Sequence, residues 1–322
     1  MSRSCDALVV GAGLSGLALA HRLQRAQKKV IVLEKSRGVG GRMATRRDGQ
    51  ALYDHGAQFF KVSSNSPSAL VTEWRHGGLL RSWFLQDGCE YLSSVSGMTA
   101  GPKLMARDLD LRLETRVVSL KTSDSLDSTI QVLDEKETLW EASRVYLTCP
   151  LPQSLKILED SKISFPSDLK TLHYAKALVG LFELEPTPGA WPSPGYVELA
   201  SSSIFSISHQ GLKGLSPVPT LVVVMQPEWS ELRFKESDEK TLQSVMDEFQ
   251  IWFRRSFQGQ SLLIKKAQLK KWRYSHPLKT AGRLFDMVGP HGLIYLLGDA
   301  FGGGSLSGAL RSAEAIPVSS TV

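Results

Sequence analysis

Apolar and polar positions follow two rhythms along this chain. Residues 7–10 form a short, valine-rich apolar run, as in a strand covered on both faces. From Leu14 the rhythm changes, and Leu14, Leu17, Ala18 and Leu23 share one helical face over 14–27. Residues 30–33 are apolar throughout, a second buried strand. Strand, helix and strand in about 30 residues make a βαβ unit.

Further strands are expected at 111–120, 129–133 and 144–148, the last stopped by Cys149-Pro150-Leu151-Pro152. Residues 40–60 are glycine- and charge-rich and read as connections, and 62–100 read as irregular, with Trp74 and Trp83 on apolar stretches. Beyond about 165 the texture shifts to strands at 177–184, 203–208 and 221–225, separated by Pro- and Gly-rich links. Leu242, Val245, Met246, Phe249, Phe253 and Phe257 keep helical spacing, and Gly259 can end that helix. A last buried strand at 293–297 precedes a glycine cluster and a helix to about 316.

Dinucleotide-type patterning thus lies at both ends and in the middle. Two discontinuous domains are expected, with the active site between them: 1–61, 101–164 and 281–322 for the dinucleotide, and 62–100 and 165–280 for the substrate.

The chain has 322 residues, 42% hydrophobic and 22% charged, and no internal repeat, which is ordinary for a soluble globular protein. A net charge of +6 suits an anionic small molecule better than obligate nucleic-acid binding. Cys5, Cys89 and Cys149 form no C-x-x-C pair and no metal-ligand spacing. They read as reduced cytosolic thiols, with no metal expected and a flavin disulfide reductase disfavoured. Residues 7–20 are apolar but glycine-punctuated and too short to span a membrane, so a cytoplasmic protein without membrane or nucleic-acid partners is expected.

Gly11-x-Gly13-x-x-Gly16 follows the first strand and opens the first helix. Gly11 permits the turn, Gly13 lets the backbone approach a pyrophosphate, and Gly16 lets helix and strand pack closely. Glu34 ends the next strand, where an acid accepts from adenosine ribose hydroxyls. This arrangement serves NAD and FAD alike. Gly40-Gly41-Arg42 lies just beyond it, glycines for close approach and a guanidinium for a diphosphate. An NAD dehydrogenase needs no such loop, so FAD is the expected cofactor. "YDHGAQFF" follows at 53–60, and "GDAFGGGSLSGAL" at 298–310 carries glycines 302–304 into a helix. A helix N-terminus aimed at the flavin N1/C2 carbonyl edge would favour the anionic reduced ring. Asp299 could otherwise be a plain helix N-cap.

These blocks resemble the flavin amine oxidase superfamily, and "GAQFF", "RVVSL", "YLTCPLPQSL" and "KWRYSHP" resemble its renalase branch. The implied fold is α/β: a Rossmann-like FAD-binding domain of the p-hydroxybenzoate-hydroxylase (GR2) type, with a discontinuous α+β substrate domain on a mainly antiparallel sheet. By this resemblance Gly11, Gly13, Ser15 and Gly16 hold the FAD diphosphate, Glu34 the ribose with Lys35 beside it, and Arg42 the diphosphate. Val117 offers its backbone to the adenine. Gly56, Ala57 and Gln58 line the isoalloxazine, and Asp299 accepts from a ribityl hydroxyl. Leu14, Gly41, Met43, Phe59, Pro150, Gly298 and Leu306 complete the expected cofactor set.

No catalytic side chain is obligatory if the flavin does the chemistry. Candidate substrate-pocket residues are Gln58, Phe60, His209, Trp272, Arg273 and Tyr274; for His209 and the aromatic strand the bland alternative is ordinary structure. His55 reads as a structural histidine first and a base second. Lys265, Lys266, Lys270, Lys271 and Arg273 form a basic run, a solvated strand face or a dock for a phosphate-bearing substrate. No cysteine follows Cys149, so FAD is expected to be non-covalent, and no paired-aromatic amine cage is matched. Pro317 ends the closing helix early by comparison with the family.

The implied activity takes hydride from a small substrate, an isomeric dihydronicotinamide of NAD(P)H type, to flavin N5 and passes electrons to O2, giving H2O2. The alternatives are an FAD-dependent amine oxidase or desaturase, and a flavin-binding protein without turnover. A monomer or homodimer is expected.

Overall fold

The computed structural model describes residues 3–63, 68–122, 129–185, 191–260 and 262–318. The chain divides into two compact units: Met1–Arg42, Gly101–His173 and His276–Val322 form one, Met43–Ala100 and Tyr174–Ser275 the other.

The first unit is built on an eight-stranded sheet. Its central strand Ser4–Val10 runs parallel to Val30–Leu33 on one side and Leu139–Leu147 on the other. Asp110–Arg112 and Ile294–Leu296 extend the parallel region. Asp286–Val288 closes one edge antiparallel, and Val117–Lys121 with Ile130–Asp134 forms an antiparallel branch. The valine-rich strands are apolar throughout because both faces are covered; Leu8, Val9, Ile31 and Val32 are fully buried. The helix Leu14–Arg25 turns Leu17, Leu19 and Leu23 inward and packs beside the closing helix Leu306–Glu314. The run expected as one strand over 111–120 is two, because Glu114 takes a left-handed φ of +50° and the chain turns there.

The second unit carries a five-stranded sheet in the order Tyr196–Glu198, Ile204–His209, Thr220–Met225, Tyr174–Leu184, Ile264–Pro277. The helix Asp238–Ser256 covers one face, with Val245, Phe249 and Phe253 against Leu178, Phe182, Ile207 and Val223. The hairpin Thr45–Asp48 and Ala51–Asp54 covers the other, with Ala51 and Tyr53 against Ala177, Val179, Leu181 and Val222. Burying Tyr53 to 1% exposure ties this hairpin to the sheet. Residues 43–61 therefore belong to the second unit, not to the first as expected, and 40–60 are more than connections. The stretch 62–100, read as irregular, holds the helix Ala69–His76 and, with Phe60–Ser63, a three-stranded sheet completed by Cys89–Ser93 and Arg81–Gln86. The chain crosses between units at 173/174 and 275/276 rather than at 164/165 and 280/281. Among the described residues no helix is long and apolar enough to cross a membrane.

Candidate functional site: a glycine turn, a buried ion pair and an aromatic strand

In the first unit, Gly11 sits at φ +109°, where its amide donates to Leu33 O at 2.8 Å. Only glycine is at ease in that conformation. A Cβ on Gly16 would overlap the carbonyl oxygen of Gly11, so helix and turn meet backbone to backbone. Thr148 locks the same turn, its hydroxyl donating to Val10 O (3.0 Å) and Gly11 O (3.1 Å). Gly13 is different, since a Cβ there would meet no atom within 4 Å. Gly13 precedes the helix without a side-chain cap, and the Ser15 hydroxyl is buried with no hydrogen-bond partner among the described residues. An open approach, uncapped helix amides and an orphaned hydroxyl fit an anionic diphosphate. Gly40 pairs with Gly13 and donates to Ala12 O at 2.8 Å, which brings Gly41 against the turn.

Glu34 is 8% exposed, and its carboxylate accepts from the Ala12 amide and the Ser36 amide, both at 2.8 Å. It ties the turn to the end of the second strand, with lone pairs to spare for hydroxyls. Thr115 donates to Glu34 O at 2.9 Å, which places the segment leading to buried Val117 beside it. Lys35 is exposed and donates to Gln153 Oε1 at 2.9 Å, on the helix that starts after Pro150.

Arg42 and Asp299 form a bidentate ion pair, Nη1–Oδ2 2.5 Å and Nη2–Oδ1 2.7 Å. Gly298, at φ +131°, holds the helix cap position just ahead of Asp299, and its amide donates to Ser312 Oγ at 2.8 Å. The longer helix Leu306–Glu314 is capped by Ser305, which accepts from the Gly308 amide at 3.0 Å. His276, exposed at the end of its strand, is lowered from the ordinary histidine range by the partial desolvation of its crowded ring first and the Arg42 charge second, with Asp299 opposing.

In the second unit Asp54 is the hub of the segment 53–60. Its Oδ1 accepts from Thr45 Oγ1 (2.6 Å) and the Met98 amide (2.9 Å), and its Oδ2 from Lys213 Nζ (2.6 Å). Both charged side chains are 0% exposed. Burial pushes the Lys213 ammonium down while Asp54 opposes it. Gln58 donates to Asp54 O, and its Oε1 accepts from Ser208 Oγ (3.0 Å), Gln210 Nε2 (3.1 Å) and Lys213 Nζ (3.3 Å). Both side-chain polar atoms of Gln58 are thus used inward, and its amide is no free pocket group. Gly56 and Ala57 are partly exposed between Asp54 and Gln58.

Trp272 stacks on His55 (centroids 5.4 Å, planes 26° apart) and donates Nε1–H to His55 O at 2.8 Å. Burial, then Lys270, lowers the His55 pKa to about 4, so it is a neutral structural ring and poorly matched to a general base at neutral pH. Phe60 is fully buried against Trp74 and is core, not pocket wall. Phe59 packs edge-on against Tyr91 and Tyr196 in a cluster with Trp83 and Phe84. Phe84 and Tyr91 stack in the same cluster with centroids 4.3 Å apart. His209 accepts from the Leu212 amide at 3.2 Å and leans on Trp191. Tyr274 meets Tyr174 edge-on, and Arg273 is exposed. Met43 is buried, its carbonyl bound by Thr99 Oγ1 at 2.7 Å. Leu14 is buried at the head of the first helix, and Leu306 heads the closing one. The basic run is largely neutralised: Lys265 pairs with Glu183, Lys266 with Asp48 and Lys271 with Asp238.

Sequence reasoning missed Asp54, Lys213, Gln210, Thr148 and Ser305. A lone lysine reads as surface by default, and no periodicity marks one that is buried through pairing. "SISHQGLKG" draws attention to His209, while Gln210 and Lys213 beside it carry the network.

Residues 9–74 match the model of an NAD(P)-binding Rossmann-like domain, and residues 68–315 match that of the flavin containing amine oxidoreductases. Amine oxidase [flavin-containing] B of Sus scrofa is 44% identical over 66 residues, 20% of this chain and 13% of that protein. The L-amino acid dehydrogenase of a Synechocystis strain is 39% identical over 75 residues, 23% of this chain and 16% of that protein. Both matches span far less than two thirds of those relatives. A protein assigned as a protoporphyrinogen oxidase, from Exiguobacterium sp. 255-15, shares the fold with a TM-score of 0.73 at 16% identity, over 98% of this chain and 97% of that one. A putrescine oxidase variant superposes with a TM-score of 0.60 at 15% identity, over 97% of each chain. With its model matched over most of the sequence, the chain belongs to the flavin-containing amine oxidoreductase family of FAD-dependent oxidoreductases, and FAD is its cofactor.

Proposed function

We propose that this chain is a renalase-like FAD-dependent oxidase. It takes hydride from an isomeric dihydronicotinamide of NAD(P)H type and passes the electrons to O2, giving H2O2. FAD, when bound, supplies the hydride-accepting and oxygen-reducing chemistry. The Gly11–Gly16 turn and Arg42 bind the diphosphate, Glu34 orients the ribose with Lys35 beside it, and the Val117 backbone faces the adenine. Asp299 orients the ribityl chain while held by Arg42. Gly41, Pro150, Gly298 and Leu306 shape the walls, as do Met43 and Phe59. Gly56 and Ala57 present backbone to the isoalloxazine. Trp272, with Tyr274, orients the substrate. The protein works in the cytoplasm on a small molecule, as a monomer or homodimer.

The observation that carries this reading is the state of the ionisable groups around Gly56 and Ala57. Asp54 and Lys213 are consumed by each other, and His55 is held neutral under Trp272. The segment offers position and dipoles, with its acid spent on Lys213 and its imidazole stacked under Trp272, so neither is left free as a proton acceptor. A donor that is already a dihydropyridine needs none, whereas an amine must first lose a proton.

Anaerobic mixing of the FAD-loaded protein with the isomeric dihydronicotinamide, and separately with a panel of primary and secondary amines, tests the assignment. Rapid bleaching of the oxidised flavin band by the dihydronicotinamide supports it. Bleaching by amines alone overturns it in favour of amine oxidation, and slow bleaching by every donor favours a non-catalytic flavoprotein.

A further inference from the structure

The interior of the second unit holds a charged pair that its fold does not explain. Lys213 and Asp54 are 0% exposed, among neighbours that include Trp83, whose ring lies 5.3 Å from Nζ. Desolvating two such charges is costly, and apolar replacements of similar volume are often no less stable. The ammonium has a second oxygen partner, Gln58 Oε1 at 3.3 Å. The same oxygen accepts from Ser208 and Gln210, and Gln210 Oε1 in turn accepts from the Asp54 amide at 3.1 Å. With Gln58 Nε2 bound to Asp54 O, the network closes on itself around the five-residue segment from Asp54 to Gln58. Donors converge on one amide oxygen and an acceptor takes the amide nitrogen, so the Gln58 side chain has a single orientation. The residues spanned by this clamp are His55, Gly56 and Ala57, and two of them have little or no side chain of their own to fix them.

We propose that Lys213 is a positioning residue for the flavin wall: with Asp54 as its counter-ion, it holds Gln58 so that the Gly56–Ala57 backbone keeps one conformation against the isoalloxazine. The proposal rests on the assignment of Gly56 and Ala57 to that wall. Lys213 acts through Gln58, by donating a hydrogen bond, and touches neither substrate nor cofactor.

Two double variants separate this role from plain stability. Lys213→Met with Asp54→Asn removes both charges and the bond to Gln58, while the asparagine keeps an acceptor for Thr45 and Met98. Lys213→Gln with Asp54→Asn also removes the charges but restores a donor toward Gln58. Melting temperatures of the FAD-free proteins, FAD dissociation constants and the visible flavin spectrum are measured for each. The methionine variant is expected to bind FAD about tenfold more weakly, or worse, and to lose fine structure in its flavin band at temperatures where it is fully folded. The glutamine variant should recover both. A methionine variant with unchanged FAD affinity and spectrum overturns the proposal, as does a glutamine variant no better than methionine when both melt alike. If the methionine variant fails to fold, the spectrum and affinity of the glutamine variant against wild type decide whether a neutral donor suffices. A wild-type protein whose flavin spectrum is already that of free FAD would instead refute the placement of Gly56 and Ala57. The identity of the electron donor does not enter either readout.

Discussion

Arg42 and Asp299, 257 residues apart, grip each other through two parallel hydrogen bonds in the first unit. The carboxylate side chain is 8% exposed and the guanidinium 26%. Each was expected to meet the cofactor on its own account, but the structure pairs them, so a change at one is felt at the other. Arg42→Ala should lower the stability of the FAD-free protein by about 2 kcal/mol, the scale of charge-assisted hydrogen bonds to a buried carboxylate. It should also weaken FAD binding. Urea unfolding of the FAD-free variant isolates the first effect; no change in its midpoint would mean that the pair carries no structural weight.

Gly16 and Gly13 should respond oppositely to the same substitution. Gly16→Ala forces a methyl onto the Gly11 carbonyl and should destabilise the fold by about 3 kcal/mol. Gly13→Ala meets open space at an ordinary φ of −79°, so folding should be unharmed or gain up to about 1 kcal/mol. FAD binding to Gly13→Ala should nevertheless weaken at least about tenfold, because the methyl takes the room of the approaching diphosphate. Normal FAD titration of this variant would show that the diphosphate lies elsewhere.

Glu34→Gln replaces a carboxylate that accepts two backbone amides with a group whose NH2 must face one of them. A loss of about 1–2 kcal/mol in the FAD-free protein is expected, besides weaker FAD binding. Chemical denaturation with and without FAD separates the two effects; a variant impaired only with FAD present would make Glu34 a pure ligand group.

His55 predicts a pH dependence. Burial and Lys270 lower its folded pKa from 6.5 to about 4, with Arg46 adding slightly and Asp54 opposing. Between those values the unfolded chain binds the proton and the folded one does not, so stability is lost as pH falls from about 6.5 toward about 4. His55→Phe keeps the stack on Trp272 and should flatten that part of the stability–pH curve by on the order of 2 kcal/mol. Denaturation midpoints across the window provide the check; identical slopes in the two proteins would place the titration elsewhere.

The βαβ start, the glycine turn, Glu34, the sheet strands and the long helix of the second unit were legible because each is a local pattern: a buried strand is apolar throughout, a helix repeats its apolar face, and a close backbone contact demands glycine. The hairpin at 45–54 was not legible as structure. Its charged outer positions mask an alternation that matters only because Ala51 and Tyr53 find a sheet formed more than a hundred residues later. The same holds for 62–100, whose short strands are stable only in each other's company.

The sequence by itself determined the strand, glycine turn and helix of a Rossmann-like unit at residues 4–25, since the geometry of that turn is set within a few residues by glycine and helix amides. Only the tertiary structure decided which side chains are spent on the protein itself. Arg42 meets Asp299, Lys213 meets Asp54, and Gln58 is turned inward, because burial makes a distant partner for each charge or amide energetically obligatory and no local pattern records who that partner is.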